Sequence, residues 1–210
     1  MEIKKKLVPL IAHPNTLTLF RVGSVPLLVL LLLWSARING SMAAGIAAGG
    51  PIASLVWWDR IIGLMAAAVF SAAAITDYFD GYVARRFGLV SNLGKIMDPL
   101  ADKLLVSCAF IMLIPLDRAP AWMICVIIGR ELAVTGLRNL ISAQGDDPSA
   151  SMLGKLKTGF QISAAIPLLI HYRYFGLDIH VIGHVMLWIA MIFTLWSGID
   201  YFVRFRRLLQ

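Results

Sequence analysis

The stretch DYFDGYVARRFGLVSNLGKIMDPLAD, residues 77–102, decides the fold, because its four aspartates fall into two closely spaced pairs. Asp77 and Asp80 stand three residues apart, and Asp98 and Asp102 stand four apart. Residues at either spacing share one face of an α-helix. An apolar run precedes the first pair and another follows the second. The sequence therefore predicts two antiparallel helices, joined by a short loop, whose four carboxylates converge at one membrane–water boundary.

Four carboxylates so close together repel one another, and bound divalent cations relieve that repulsion. A set of oxygen ligands suits Mg²⁺, Mn²⁺ or Ca²⁺ better than zinc. Two metals bridged by shared carboxylates are an arrangement used for displacement at phosphorus. The alternative is an interfacial acidic patch that pairs with neighbouring cations, namely Arg85, Arg86, Lys95 and Lys103.

The composition indicates a membrane protein. Of the 210 residues, 59% are hydrophobic and only 15% are charged, whereas about a quarter are charged in an average soluble domain. The net charge of +7 fits anionic lipid headgroups better than nucleic acid, because a soluble basic surface needs more polar residues. We expect one all-α membrane domain over residues 1–210, with an interfacial segment at 1–14 and six transmembrane helices. The predicted spans lie near 17–34, 61–78, 100–116, 122–141, 156–172 and 181–202.

Most of the cations flank the spans on the side of the N-terminus, which predicts that both termini are cytoplasmic. These cations include Lys4, Lys5, Lys6, Arg85, Arg86, Arg204, Arg206 and Arg207. The segment Ser35–Leu55 is rich in Gly and Ala, and it could form either a flexible loop or a helix that lies on the membrane. His13, His171, His180 and His184 are interpreted as loop or interface histidines.

The acidic stretch resembles the signature of the CDP-alcohol phosphatidyltransferases, since each of its eight fixed positions is filled at the family's spacing. The resemblance implies a homodimer with its active site at the cytoplasmic face of the cell membrane. It also implies two Mg²⁺ or Mn²⁺ ions held by the four aspartates, with Asp98 and Asp102 catalytic and Asp102 the general base. The CDP part of the lipid donor would then contact Asn15, Thr18, Asp77, Gly81, Ala84 and Arg85.

The second half of the chain resembles the phosphatidylglycerophosphate synthase branch of that family, in Gly129–Leu132, Gly154–Thr158 and Leu195–Ser197. That branch implies CDP-diacylglycerol and glycerol 3-phosphate as substrates. A basic cluster suits a phosphorylated acceptor, and the candidates are Arg130, Arg138, Lys155 and Lys157. Alternatively, three of these cations merely flank spans, and Arg130 forms a structural pair with Glu131. The competing functions are cardiolipin synthesis, transfer to inositol phosphate or serine, and membrane transport.

Overall fold

The computed structural model describes residues 14–87, 92–143 and 152–205, and it describes side chains within 20–76, 103–142 and 156–203. These residues form six helices and a short hairpin. The helices are α1 (Pro14–Ala47), α2 (Ala53–Phe87), α3 (Asn92–Leu113), α4 (Ala121–Ala143), α5 (Met152–Ile170) and α6 (Ile179–Phe205). The strands β1 (Arg173–Tyr174) and β2 (Leu177–Asp178) pair antiparallel between α5 and α6. The predicted all-α class is confirmed, while the predicted interfacial segment at 1–14 lies outside the described residues except for its last residue.

Three helical segments among the described residues are long and apolar enough to cross a membrane. They are Phe20–Ala47, Ala53–Thr76 and Ile179–Val203. Two shorter apolar segments, Lys103–Leu113 and Leu156–Ile170, belong to α3 and α5. Large apolar side chains on these helices are exposed, such as Leu30, Ile75 and Ile199. Such a surface suits contact with lipid tails rather than with water.

The predicted first span ends at Trp34, but α1 continues to Ala47. The segment Ser35–Leu55 is therefore mostly helical, and only residues 48–52 separate α1 from α2. Small residues such as Gly40 and Gly45 do not end the helix, and the left-handed φ of 67° falls at Gly49, just after it. This is the backbone conformation that glycine adopts most readily after a helix.

Contacts divide the chain into two compact units, residues 1–116 and 117–210. In the first unit, α1 packs against both α2 and α3. Its core is made of fully or almost fully buried apolar side chains: Leu28, Leu32, Ile62, Phe70, Leu105 and Phe110. Helices α2 and α3, which contain the two aspartate pairs, both pack on α1, so α1 positions them within the unit.

In the second unit, α6 packs against both α4 and α5. A Cβ at Gly183 would lie 2.8 Å from Leu168 Cγ, so this glycine allows α5 and α6 to approach closely. The buried amide of Gln161 donates a hydrogen bond of 3.2 Å to Thr194 Oγ1 across the same interface. Apolar packing and this polar contact together fix how α5 and α6 lie against each other.

Candidate active site

The four aspartates lie on two helices of the first unit. Asp77 and Asp80 occupy the final part of α2, and Asp98 and Asp102 occupy the first half of α3, which continues through Pro99. Each pair is therefore on a helix, as predicted. Their side chains lie outside the described part of the chain, as do those of Asn15, Thr18, Gly81, Ala84, Arg85 and Lys155. Among the side chains that are described, no group of three or more His, Cys, Asp or Glu residues is arranged to hold a metal ion.

Two contacts set the register between α1 and α2. Ser35 Oγ donates a hydrogen bond to the Asp59 carboxylate, and both residues are fully buried. The rings of Trp34 and Trp58 stack with their centroids 6.5 Å apart. The two helices are antiparallel neighbours, so positions equally far before Ser35 and after Asp59 lie at about the same height.

This register relates the predicted donor residues of α1 to the first aspartate pair. Thr18 lies 17 residues before Ser35, and residue 76 lies 17 residues after Asp59, so these two positions are at about the same height. By the same count, Asn15 is at about the height of residue 79 in α2. The backbones of Asn15 and Thr18 therefore lie at about the height of Asp77 and Asp80. Residues that are more than 50 positions apart in the sequence thus occupy one end of the first unit.

Arg21 is a residue of this end that the sequence reasoning did not single out. Its side chain is fully buried, although it belongs to a helix segment that is able to cross a membrane. It lies three residues after Thr18, on the same face of α1, and at about the level of the buried Ala73 in α2. A charged side chain held within a membrane helix is a candidate for function because its burial is costly. The signal available in the sequence was a lone arginine inside an apolar run.

In the second unit, Glu131 joins two of the predicted acceptor residues. Its Oε1 accepts a hydrogen bond of 3.1 Å from Arg130 Nη1 and forms an ion pair with Lys157 Nζ. The side chains of Arg130, Lys157 and Glu131 are 8%, 10% and 16% exposed. The structure therefore brings Arg130 of α4 and Lys157 of α5 together around one carboxylate, which sequence reasoning had considered only as a partner of Arg130.

Helix α6 fixes the other side of Arg130. Ser197 Oγ accepts a hydrogen bond of 2.7 Å from Arg130 Nη2. A Cβ at Gly198 would lie 3.2 Å from Arg130 Cγ, so the glycine leaves room for the stem of the arginine. Ser197 was missed as a site residue because a serine in an apolar helix carries no chemical signal by itself.

Arg130 also lines a cavity of about 660 Å³ between α4 and α6. The remaining walls carry no charge: Gly129, Ala133, Leu195, Gly198, Ile199, Phe202 and Val203. Such walls suit an apolar chain rather than a phosphate. The guanidinium of Arg130, which donates hydrogen bonds to Glu131 and Ser197, is therefore a better candidate for anion binding than this cavity.

The other two predicted acceptor residues are placed differently. Arg138 is exposed and lies eight residues beyond Arg130 in α4, which is about two turns. Lys155 precedes Lys157 in α5, but its side chain lies outside the described part. Only Arg130 and Lys157 are therefore seen in a common cluster.

Three histidines meet at the hairpin end of the second unit. Nδ1 of His171 lies 2.9 Å from Nδ1 of His180, and the ring of His184 lies 4.2 Å from that of His180 between centroids. His180 and Ser197 are seventeen residues apart on α6, or about 25 Å along the helix. The histidines therefore do not belong to the cluster around Glu131.

The described residues form a mainly helical fold with three segments long and apolar enough to cross a membrane, and each aspartate pair lies on one helix. The family model for CDP-alcohol phosphatidyltransferase matches residues 11–196, and the chain belongs to this family. A CDP-diacylglycerol–glycerol-3-phosphate 3-phosphatidyltransferase of Bacillus subtilis is 42% identical, over 90% of this chain and 92% of the relative. The protein of the same name from Rickettsia typhi is 36% identical over 90% and 94%. A probable phosphatidylglycerophosphate synthase of Mycobacterium tuberculosis is 35% identical over 90% and 79%. These similarities confirm the family and the branch predicted from the motifs.

Proposed function

We propose that this protein transfers a phosphatidyl group from CDP-diacylglycerol to the 1-hydroxyl of glycerol 3-phosphate, which yields phosphatidylglycerol phosphate and CMP. The observation that carries the proposal is the complete acidic motif at residues 77–102. This motif lies in a chain that is similar, over nine tenths of its length, to proteins named CDP-diacylglycerol–glycerol-3-phosphate 3-phosphatidyltransferase. The basic cluster around Glu131 is consistent with an acceptor that carries a phosphate.

Asp77, Asp80, Asp98 and Asp102 are the residues that would hold two Mg²⁺ or Mn²⁺ ions. Carboxylate oxygens from two helices that pack on one common helix form a donor set that suits these hard cations. When bound, such ions neutralise negative charge on a diphosphate and on its leaving group.

The donor would be held at the end of the first unit where α1 and α2 bring Asn15, Thr18 and Asp77 to similar heights. Gly81 and Ala84 would let the CDP moiety approach the helix backbone, and Arg85 would hold a phosphate through two hydrogen bonds. The buried Arg21 adds a second cation near this end. We assign it to the diphosphate of the donor, since charge-assisted hydrogen bonds to phosphate are strong.

The acceptor would be held by its phosphate through Arg130 and Lys157, with Arg138 and Lys155 contributing from the same two helices. Its 1-hydroxyl oxygen then attacks the β-phosphorus of the donor. The bond from that phosphorus to the bridging oxygen breaks, and CMP leaves with the oxygen. A carboxylate oxygen of Asp102 takes the hydroxyl proton as general base.

We further propose that all six helices span the cell membrane, with both termini and the active site on the cytoplasmic side, and that the protein is a homodimer. Helices α3, α4 and α5 contain 22, 23 and 19 residues. At about 1.5 Å per residue each is close to or longer than a hydrocarbon core of about 30 Å. The charges within α4 and α5 do not oppose this, because Arg130 and Lys157 are paired with Glu131.

The function is tested by CMP release from CDP-diacylglycerol by the purified protein in detergent with Mg²⁺ or Mn²⁺. We expect release to depend on glycerol 3-phosphate and not on phosphatidylglycerol, inositol phosphate or serine. Release with phosphatidylglycerol alone would instead identify a cardiolipin synthase. A protein that released no CMP with any of these alcohols would fit a transporter better.

A further inference from the structure

We infer that Glu131 is a positioning residue for the acceptor, which sets the spacing of Arg130 and Lys157 without contacting the substrate itself. This inference rests on the proposed function, since it concerns the same phosphate-binding cluster. It makes Glu131 a determinant of affinity for the phosphorylated alcohol and not for the lipid donor.

The contacts of Glu131 show how it controls the spacing. One oxygen, Oε1, receives both Arg130 Nη1 from α4 and Lys157 Nζ from α5. Two nitrogens that bond to one oxygen lie within about 6 Å of each other, because each bond is about 3 Å long. This separation places both cations within reach of the oxygens of one phosphate group.

Electrostatics explains why a carboxylate is needed between them. Two cations at this separation repel each other strongly in a site that is mostly buried. Arg130 and Lys157 carry a formal charge of +2, and Glu131 brings the total for the three residues to +1, so the two cations can remain close before the acceptor arrives. The triad keeps a net positive charge, which attracts the phosphate.

The position of Arg130 is also fixed from α6. Its Nη2 donates to Ser197 Oγ, while its Nη1 donates to Glu131. A guanidinium held at both ends loses little freedom when a ligand binds, and such preorganisation increases affinity. A structural ion pair that only joined α4 to α5 would not require this second anchor.

The test compares Glu131→Gln with the wild-type enzyme, using CDP-diacylglycerol, glycerol 3-phosphate and Mg²⁺ in detergent. The amide can still accept from Arg130, but it cannot neutralise the ammonium of Lys157. We expect the KM for glycerol 3-phosphate to rise about tenfold, as for the loss of one charged hydrogen bond, while the KM for CDP-diacylglycerol changes less than about twofold. Asp178→Asn is the matched control, because it removes the same charge at the hairpin end of α6 and leaves both KM values unchanged.

Three further variants show whether Glu131 acts through its neighbours. We expect Lys157→Met alone to raise the KM for glycerol 3-phosphate. If Glu131 acts through Lys157, Glu131→Gln should raise this KM by a smaller factor in the Lys157→Met background than in the wild type. Ser197→Ala removes the second anchor without leaving a buried charge unpaired. We expect it to raise the acceptor KM by about threefold, and this variant keeps the test decisive if Glu131→Gln does not fold.

An acceptor KM that stays the same or falls in Glu131→Gln overturns the inference, because a purely repulsive role of Glu131 predicts tighter phosphate binding. Equal changes in both KM values, together with a lower Tm, also overturn it and identify a structural ion pair. If the proposed function is wrong, the wild-type protein itself releases no CMP with glycerol 3-phosphate. The two failures are therefore distinguishable.

Discussion

Ser35 donates a hydrogen bond to the carboxylate of Asp59, and both side chains are completely buried between α1 and α2. A buried carboxylate that loses a hydrogen-bond donor becomes less stable by about 1–3 kcal/mol. We therefore expect Ser35→Ala to lower the Tm of the detergent-solubilised protein by several degrees. Ser41→Ala is the control, since Ser41 is exposed and its hydroxyl donates a hydrogen bond to the backbone oxygen of Arg37. Equal Tm values for the two variants would show that the Ser35–Asp59 contact contributes nothing.

The buried cation of α1 provides a prediction about the donor. If Arg21 holds the diphosphate, Arg21→Met removes charge-assisted hydrogen bonds that are worth about 1.5–3 kcal/mol. We expect kcat/KM for CDP-diacylglycerol to fall about 10- to 100-fold, with a smaller effect on the KM for glycerol 3-phosphate.

Arg37→Met is the matched control for Arg21, because Arg37 belongs to the same helix and is exposed. It lies sixteen residues further along α1, or about 24 Å away. Donor kinetics should be unchanged in this variant. An Arg21→Met enzyme with wild-type donor kinetics would remove Arg21 from the proposed site.

The helices were predictable from apolar runs, but their ends were not. Arg37 and Asn39 interrupt the first apolar run, which suggested an end at Trp34. A change in polarity marks where a span leaves the lipid, whereas a helix continues until its backbone turns. Here the turn comes at Gly49, where φ is 67°.

The hairpin between α5 and α6 was not predicted. Its central residues, Phe175 and Gly176, have φ of 53° and 79°, as in the tight turns that usually contain Asn-Gly or Asp-Gly. A phenylalanine in this conformation is uncommon, so the usual sequence signal was missing. The strands contain only two residues each, which is too few for an alternating pattern.

The candidate site was predictable where its residues are close in the sequence and not where folding brings them together. The aspartate pairs follow from spacings of three and four. The contact between Glu131 and Lys157 joins residues 26 positions apart, and that between Arg130 and Ser197 joins residues 67 apart. No local pattern encodes these two contacts.

The hairpin gives a prediction about pH. Asp178 accepts a hydrogen bond from Arg173 Nε at 3.2 Å, and its other oxygen caps the start of α6 at the Val181 amide. The hydrogen bond to Arg173, followed by the capping bond, lowers the pKa of Asp178. A lowered folded-state pKa means that the ionised carboxylate stabilises the fold above the unfolded-state pKa and that this contribution is lost as pH falls through the folded-state pKa.

We therefore expect Asp178→Asn to lower the Tm slightly at neutral pH, because asparagine keeps the cap but not the charge. The difference from the wild type should disappear once the pH is below the folded-state pKa of Asp178. Thermal unfolding between neutral and strongly acidic pH measures this. A Tm difference that is constant over the whole range would contradict a role for the ionised carboxylate.

The acidic motif gives the largest expected effect on activity. We expect Asp98→Ala and Asp102→Ala to abolish CMP release, since the proposed site loses a metal ligand and, at Asp102, its general base. Chelation of divalent ions should also stop the wild-type reaction, and added Mg²⁺ or Mn²⁺ should restore it. Near-wild-type activity in either alanine variant would disprove the proposed mechanism.

The acceptor cluster gives the sharpest comparison within the chain, because Arg130 and Arg138 lie on the same helix in different environments. Arg130 is held by Glu131 and Ser197 with a side chain that is 8% exposed, whereas Arg138 is exposed. A preorganised arginine contributes more to binding than a solvated one, since the exposed side chain must be ordered first.

We expect Arg130→Ala to raise the KM for glycerol 3-phosphate about 10- to 100-fold and Arg138→Ala to raise it less than about threefold. Steady-state kinetics with saturating CDP-diacylglycerol measure both values. An unchanged KM in Arg130→Ala would exclude Arg130 from the acceptor site, and a larger effect of Arg138→Ala would show that the exposed arginine is the main phosphate contact.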